Sequence, residues 1–433
     1  MIWGRYNHTF FSEKLQKYFI YNTFSQLFSE IDSDTYERFK KFEKISQVDN
    51  ITDAEKEFLK RNYIIINNTN DDFNAFKQLI ESNRRANQST LTIAPTRDCN
   101  FICSYCYEDN RPKIYMNDET EDKLIDFIKI KNIKKIHVNW YGGEPTLYFD
   151  RIESLTNKII AITDTYTASM ITNGYLLSES ICSKLTQLKI SKLQITLDGL
   201  EKTHNTRRKL VDNSTTFNQI ISNIVTLFDK NPLLQLNIRV NVDETNKEEY
   251  AELEKILKKK FKNRNTYVHA GYVRDSNGFV DTKNTPYSNC NFDRKKKIAF
   301  LKNEFKNNIY SDLIEMPKSY SIECESRHKN DFVIDPVGNL YKCWEDIGIE
   351  KNIVGNLKEP LNINDEKYLI QADPLTNDQC IKCKYLPICG GGCPVTRMRE
   401  QYFGEKTDNC TIYKGNLNFF LESYYIKKTK MNE

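Results

Sequence analysis

The chain has 433 residues with 63 basic against 59 acidic side chains, a net charge of +4, and that balance excludes nucleic acid as an obligatory partner. No run of 18 apolar residues occurs and no basic stretch precedes an apolar one at the N-terminus, so neither a membrane segment nor a secretion signal is expected and the location expected is cytoplasmic. Twelve cysteines in clustered spacing, without a secretion signal, point to metal ligation in a reducing compartment rather than to disulfides.

In chain order, residues 1–88 read as a small α+β domain. Tyr18-Phe-Ile-Tyr21 and Ser25-Gln-Leu-Phe28 flank Asn22-Thr23 as a hairpin. Asp32-Ser-Asp34 caps a helix over Thr35 to Phe42. Thr52, with Glu55 three residues on, caps another that carries Phe58 and Leu59 toward Tyr63-Ile-Ile-Ile66. An amphipathic stretch from Phe73 to Ile80 bridges into the next domain. The content is that of a winged-helix-like domain, which can offer a strand edge or a groove to a peptide. A packing cap without a ligand is the equal alternative.

Residues 89–285 alternate short apolar runs with amphipathic segments of helical length. Strands are expected at 91–95, 135–140, 167–172, 192–198, 235–241 and 265–270, with helices near 118–131, 150–162, 178–188, 215–229 and 246–260 between them. Crossover helices between strands imply right-handed βαβ units and a parallel sheet. Six strands are too few for a closed eight-fold barrel, so the expected fold is α/β, a partial (β/α)6 TIM-like barrel with its site at the C-terminal ends of the strands.

The first strand runs into Cys99-Asn-Phe-Ile-Cys103-Ser-Tyr105-Cys106. Three thiolates on so short a loop can converge on one edge of a metal cluster. A cubane of four irons held by three cysteines keeps one iron for a ligand that is not protein. A zinc knuckle is the alternative, but it requires a fourth ligand nearby, and the nearest downstream are His137 and Cys182. With Tyr105 before its last cysteine, this CxxxCxxC run resembles the radical S-adenosylmethionine (SAM) superfamily. The resemblance implies SAM chelated to the open iron and a 5'-deoxyadenosyl radical.

Four further strand ends carry polar residues. Tyr141-Gly142-Gly143-Glu144-Pro145 follows the second strand and matches the family's GGEP motif, whose backbone carbonyls receive the SAM amino group. Thr172 and Asn173 follow the third strand and are expected to line the cofactor pocket. Thr196 and Asp198 share one face of the fourth strand, a place where the family carries ribose contacts. His204, Arg207 and Arg208 follow in a polar segment, where an arginine such as Arg208 can pair with the SAM carboxylate and surface solvation is the equal alternative for any one of the three. Arg239 and Asn241 on the fifth strand point into the barrel, and an inward arginine needs a partner. Arg239 is therefore the preferred partner of the SAM carboxylate. His137 reads as off the inward pattern of its strand and structural, and Cys182 as a buried structural thiol.

Residues 286–433 hold Cys324, thirteen residues, Gly338, four residues, Cys343, then Cys380-x2-Cys383-x5-Cys389-x3-Cys393, and Cys410. Gly338 turns a hairpin that returns Cys343 toward Cys324. Thiolate spacing alone leaves zinc and iron both open. The pattern is similar to the SPASM extension of radical SAM enzymes, which implies two auxiliary [4Fe-4S] clusters and, with the first, three in all. By the family's topology Cys380, Cys383, Cys389 and Cys410 hold the outer cluster and Cys324, Cys343 and Cys393 the inner one. Sulfatase-maturing relatives have a further cysteine six residues before the first of these, where this chain has Lys318, so either Cys290 completes the inner set or that site stays open.

The SPASM resemblance implies a peptide substrate and an oxidoreductase. Sulfatase-maturing relatives place an aspartate base directly after the cysteine matching Cys343. Here Trp344 stands there, with Glu345 and Asp346 next as candidate catalytic groups. This departure, with the N-terminal domain, favours maturation of a ribosomally made precursor peptide with a leader, through a thioether, carbon-carbon or other oxidative change. The expected electron donor is a low-potential flavodoxin or ferredoxin. Formylglycine formation, epimerisation and a non-enzymatic iron-sulfur carrier are the alternatives.

Overall fold

The computed structural model describes residues 1–84, 88–106, 108, 112–273, 293–306, 315–320, 324–404 and 409–430. It divides into two compact units: Met1–Ala86 with Ile314–Lys329 and Glu366–Glu433, and Asn87–Leu313 with Asn330–Asp365. These units cut across the sequence segments 1–88, 89–285 and 286–433, because chain from both ends builds the first.

In that first unit β1 (Ile2–Trp3) leads to β2 (Asn7–Ser12), β3 (Lys17–Asn22) and β4 (Phe28–Ile31), an antiparallel sheet in the order β2-β3-β4. A hairpin forms where expected, β3-β4 with Tyr21 opposite Phe28, but its second arm is Phe28–Ile31 rather than 25–28, because residues 23–27 make a longer connection. α1 (Ser33–Ile45) starts where Asp32 Oδ1 accepts from the Thr35 amide at 2.7 Å, and α2 (Asp53–Arg61) where Thr52 Oγ1 accepts from Glu55 at 3.2 Å. Both caps were legible as Asp or Thr before an amphipathic run. β5 (Ile65–Ile66) pairs back on β1, and α3 (Asp71–Arg84) follows. Trp3, Phe39, Phe42, Leu59 and Ile65 fill one core between these elements.

The second unit is organised by one sheet. β6 (Gln88–Ile93), α4 (Asp118–Ile130), β7 (Lys135–Trp140), α5 (Phe149–Ile160), β8 (Thr165–Thr172), α6 (Glu179–Lys184), β9 (Ile190–Thr196), α7 (Glu201–Arg207), α8 (Phe217–Lys230), β10 (Gln235–Val242), α9 (Tyr250–Lys260) and β11 (Thr266–Tyr272) follow in order, with α10 (Arg294–Lys306) beyond. β6 to β11 are parallel, and each lies beside its neighbour in sequence, as expected of the partial barrel. Strict alternation in β7 and β10 separates two faces. Ile136, Val138, Trp140, Leu236, Ile238 and Val240 are almost wholly buried on the helix side, and their polar neighbours face the other way, into the barrel. Two helices are shorter than their sequence windows, α6 against 178–188 and α9 against 246–260.

The sheet does not end at β6. β12 (Phe332–Ile334) adds parallel to it, Val333 opposite Thr92, and β13 (Asn339–Tyr341) and β14 (Gly355–Asn356) continue antiparallel. Gly338, at φ +87°, makes the expected turn between β12 and β13. The hairpin therefore belongs to the barrel sheet. Strands of three residues carry too little alternation to announce such a pairing.

The first unit is completed by α11 (Asp378–Ile381), α12 (Leu386–Cys389), α13 (Pro394–Phe403) and α14 (Leu417–Lys430). Leu375 and Leu386 pack with Tyr6, Phe73, Phe76 and Ile80, and Ile388, Leu417 and Leu421 with Phe10, Phe19 and Tyr21. A buried ion pair closes the join: Asp72 accepts from the Arg5 amide at 2.8 Å and from its Nε at 2.9 Å, while Arg5 Nη1 reaches the Ile381 carbonyl at 3.0 Å. No described helix is long and apolar enough to cross a membrane.

One buried acid of α10 gives the second unit a pH dependence. Burial, then Glu254 and Glu248, pushes Glu304 up to about 7 from 4.5. The folded chain thus holds a proton that the unfolded chain releases near 4.5, so this contribution to stability is complete below that pH and is lost as pH rises through about 7, on the order of 3 kcal/mol in all. Glu304→Gln is expected to raise the melting temperature at pH 8 and to change it little at pH 5. An equal shift at both pH values would show that the carboxyl is not responsible.

Candidate active site

The loop after β6 carries Cys99, Cys103 and Cys106 and is shaped by backbone contacts with the loop after β7. Thr96 Oγ1 donates to the Ile114 carbonyl at 2.8 Å and accepts from the Asp98 amide at 3.0 Å. Gly143 N donates to the Thr96 carbonyl at 3.2 Å and Glu144 N to that of Asp98 at 2.9 Å. A Cβ on Gly142, at φ +116°, would stand 2.2 Å from the Thr96 carbonyl oxygen, and one on Gly143 2.2 Å from that of Asp98. Only glycine lets these loops approach so closely.

Glu144 ties the same place to the loop after β8. Its buried carboxylate accepts from Thr146 N at 3.1 Å, Thr146 Oγ1 at 2.5 Å, Thr172 Oγ1 at 2.6 Å and Asn173 N at 2.7 Å. Burial raises its pKa, against these four donors. Pro145 then opens the helical turn that Glu144 caps. Asn173 Nδ2 donates to Asn100 Oδ1 at 2.8 Å, and its Oδ1 accepts from Tyr175 N at 2.9 Å. Thr172 and Asn173, expected to line a cofactor pocket, therefore have their polar atoms engaged in holding the cysteine loop in place.

Tyr105 leads into a buried charge network. Its hydroxyl donates to Asp198 Oδ2 and accepts from Arg208 Nη1 at 2.7 Å and Asn241 Nδ2 at 3.0 Å. Asp198 Oδ1 accepts from the Asn241 amide at 3.1 Å. Arg207, 2% exposed, lies with its Cζ 5.0 Å from the Tyr105 ring centre, its Nε 3.5 Å from Asp198 and its Nη1 2.7 Å from Asp243. Burial opposes the charge on Asp243, yet Arg207 and Thr245 hold its pKa below the ordinary value. His204 is kept neutral by burial and by both arginines. Its Nδ1 accepts from Asp198 N at 3.1 Å, leaving Nε2 to donate to Thr216 Oγ1 at 3.1 Å. Surface solvation of His204, Arg207 and Arg208 is thus overturned. A polar run with a helical period hid a buried face, and Asp243, the partner that makes it affordable to bury Arg207, lay a strand away.

The inner face of the barrel carries Thr92, His137, Asn139, Ser169, Thr196, Arg239 and Asn241 at alternate positions. Arg239 points inward as expected. Its Nε donates to Asn241 Oδ1 at 2.7 Å, and its guanidinium lies over Gly271, where a Cβ would stand 2.3 Å from Nε. His137 belongs to this face too: Nδ1 meets Thr167 Oγ1 at 2.8 Å and Nε2 meets Asn139 Oδ1 at 3.1 Å. Its reading as off the inward pattern is corrected, since Ile136 and Val138 take the helix side.

Tyr141, missed by the sequence reading, connects this face to the chain after β13. Its ring stacks on Trp344, with centres 5.6 Å apart and planes at 24°. Burial and then Cys106, Glu345 and Cys343 raise its pKa while Arg239 opposes them, which places all four groups within electrostatic reach of one hydroxyl. Asp346 is fully buried and accepts from Asn352 Nδ2 at 2.8 Å, whereas Glu345 is half-buried. Only a signal coupling Tyr141 to Trp344 across 200 residues could have revealed this from sequence.

In the first unit, Cys380, Cys383, Cys389 and Cys410 line one cavity of about 800 Å³. Cys324 lies close enough to Cys393 for the two thiols to influence each other. Cys343 belongs to the other unit, and Cys290 lies outside the described residues. Among the described residues no three His, Cys, Asp or Glu are gathered tightly enough for a single metal ion. The fit of a cluster to the β6 loop rests on its donors. Burial, Glu144 and then the other two thiols push the Cys99 thiol up, so three thiolates in this loop need a compensating cationic centre. Ser104 Oγ, between the ligating positions, is buried without a hydrogen-bond partner among the described residues. Cys99, Cys103 and Cys106 would hold that centre, and Gly142 and Gly143 bring backbone to its edge.

This loop, the glycine pair and the parallel barrel lie in a radical SAM domain: residues 93–257 match the model of the radical SAM superfamily, a domain that implies a [4Fe-4S] cluster and SAM. The chain is 26% identical over 370 residues to a cysteine-type anaerobic sulfatase-maturating enzyme of Clostridium perfringens, covering 77% of this chain and 94% of that protein. The solved structure of anSMEcpe with bound AdoMet superposes with a TM-score of 0.60 at 22% identity, over 79% of this chain and 95% of that one. Streptococcus suis SuiB bound to precursor peptide SuiA superposes with a TM-score of 0.52 at 17% identity, over 94% of this chain and 98% of that one.

Two substitutions test the architecture of the site. Gly143→Ala should abolish SAM binding, measured by equilibrium dialysis, while leaving the far-ultraviolet circular dichroism of the barrel unchanged. Glu144→Ala leaves buried donors unmatched and should cost on the order of 3 kcal/mol in stability. Retention of wild-type stability in the Glu144 variant would show that the carboxylate does not hold the loops together.

Proposed function

We propose that this chain is a peptide maturase that takes a hydrogen atom from a ribosomally made precursor and installs a thioether or carbon-carbon crosslink, or another oxidative side-chain change. The observation that carries the reading is the open edge of β4, the terminal strand of its sheet. Beside it lies a groove of about 380 Å³ lined by Phe28, Glu30, Met316, Tyr424, Tyr425 and Lys428 among others. An extended leader can add to such an edge, with main-chain hydrogen bonds for affinity and the groove for side chains. The likeness to SuiB spans this region and supports the assignment.

SAM, when bound, supplies the 5'-deoxyadenosyl radical that begins the chemistry. Cys99, Cys103 and Cys106 would fix where that happens, the carbonyls of the Gly142-Gly143 turn would take the SAM amino group, and Arg239 would pair with its carboxylate. Tyr105, Thr196, Asp198, Arg208 and Asn241 frame the ribose side. The outer set of Cys380, Cys383, Cys389 and Cys410 and the inner set of Cys324, Cys343 and Cys393, with Cys290 or an open iron, would hold two auxiliary clusters, which would supply acceptors for the electron leaving the substrate. Glu345 is the better base for the accompanying proton, since Asp346 is buried on Asn352. Low-potential electrons come from a flavodoxin or ferredoxin, and the protein acts in the cytoplasm.

The similarity to a sulfatase-maturating enzyme across 94% of that protein favours a second reading, oxidation of a single cysteine or serine to formylglycine. Trp344, in the position of the aspartate base of those relatives, weighs against it.

Anaerobically purified protein should contain about twelve irons, four per cluster, and the triple Cys99, Cys103, Cys106 alanine variant should lack about a third of them. Iron near eight in the wild type would remove one auxiliary cluster. Incubation of the cognate precursor with SAM and reductant should yield 5'-deoxyadenosine and a peptide lighter by a pair of hydrogens. A new aldehyde would instead establish formylglycine formation, and one solvent deuterium at otherwise unchanged mass would establish an epimerase. Because Tyr6 and Phe73 pack on Leu375 and Leu386, deleting residues 1–88 would also open the cysteine region. Thr429 also lines the groove, and filling it with Thr429→Trp is the cleaner test: the KM for precursor should rise at least tenfold while 5'-deoxyadenosine formation without peptide is unchanged. An unaltered KM would sink the leader site.

A further inference from the structure

The cavity lined by Cys380, Cys383, Cys389 and Cys410 has cations set directly on its sulfurs. Arg397, one turn into α13, donates from Nε to the Gly391 carbonyl, and its Nη2 lies 2.7 Å from Cys380 Sγ. The three glycines 390–392, at φ of +57°, +78° and +78°, bend the chain so that this carbonyl can clamp the guanidinium. Lys414 Nζ lies 3.4 Å from Cys410 Sγ. Two carboxylates also stand on the cavity wall, Asp378 and Glu400, and that of Glu400 accepts from Asn409 Nδ2 at 2.5 Å. Arg397 is half-buried and Lys414 exposed, so the arginine acts through a lower local dielectric and the lysine is screened.

Resting on the cluster assignment proposed above, we infer that Arg397, assisted by Lys414, raises the reduction potential of the outer auxiliary cluster. An iron-sulfur cluster bound by four thiolates is anionic, and reduction adds one more negative charge. A fixed cation hydrogen-bonded to a ligating sulfur stabilises the reduced form more than the oxidised one. Guanidinium is suited to this role because it stays protonated and presents a rigid fork, one nitrogen on the backbone and another on the sulfur. The role is one of positioning charge, since Arg397 need not touch substrate.

The test is an electron paramagnetic resonance redox titration of the fully loaded protein and of Arg397→Gln, Arg397→Lys and Lys414→Gln. The outer signal is identified as the one lost, with about a third of the iron, in Cys380→Ala. Arg397→Gln should move its midpoint to more negative potential at unchanged iron content, and Arg397→Lys should restore most of the shift. Lys414→Gln should move it in the same direction by less. The signals of the other clusters should stay in place. Wild-type midpoints in both glutamine variants at full iron would overturn the inference. Wild-type iron in Cys380→Ala would instead overturn the cluster assignment itself, so the two failures are distinguishable.

Discussion

The structure of the site depends on one close approach, that of the Gly142-Gly143-Glu144 turn to the backbone of Thr96, Arg97 and Asp98. Once two glycines permit contact, amide-to-carbonyl bonds fix the two loops to each other. The Glu144 carboxylate then carries the fixation on to Thr172 and Asn173, and Asn173 returns it to Asn100 within the cysteine loop. Three strand ends are thereby locked into one frame. A ligand set of three thiols is useful only if the loop keeps its shape while exchanging a bound cosubstrate, and a buried carboxylate with four donors resists deformation because each broken bond exposes an unsatisfied group.

A second buried set works by charge. Asp198 and Asp243 flank Arg207, with Tyr105, Arg208 and Asn241 around them. Two carboxylates against two arginines give local neutrality, without which full burial of a guanidinium would be prohibitive. The set reaches from the cysteine loop, through Tyr105, to the ends of β9 and β10. It orients the phenol next to Cys106 and fixes the strand that presents Arg239. Pre-positioned charge of this kind requires no reorganisation when an anionic group arrives.

Much of this was written in local patterns. The period-two alternation of Asn237, Arg239 and Asn241 assigned the inner face correctly, and the strand, crossover and strand order of β6 to β11 followed from run lengths alone. Caps at Asp32 and Thr52 lay where a short acceptor precedes an amphipathic run. What escaped was set by contacts between distant segments. The Arg207–Asp243 pair, the room that Gly271 leaves for Arg239 and the stacking of Tyr141 on Trp344 join residues whose neighbours in sequence reveal nothing of the meeting. For the same reason Thr172 and Asn173 were read as facing a ligand, when their polar atoms were already claimed by Glu144 and Asn100.

The composition of the first unit has a mechanistic consequence. The sheet β2-β3-β4 and helix α3 share their cores with the segments that carry Cys380, Cys383 and Cys389: Tyr6 and Phe76 with Leu386, Phe10 and Tyr21 with Ile388. The Thr23 hydroxyl donates to the Lys384 carbonyl at 2.6 Å, between Cys383 and Cys389. Lys384 Nζ in turn meets His8 Nδ1 at 3.0 Å, where burial lowers both pKa values and keeps the contact from becoming two opposed charges. An N-terminal domain attached only by a tether could gain or lose a bound peptide without affecting the cysteine region. Here the two form one packed body, and cores of this density transmit small displacements instead of absorbing them. A displacement of the β2-β3-β4 sheet is therefore passed, through packing alone, to the segments that carry Cys380, Cys383 and Cys389.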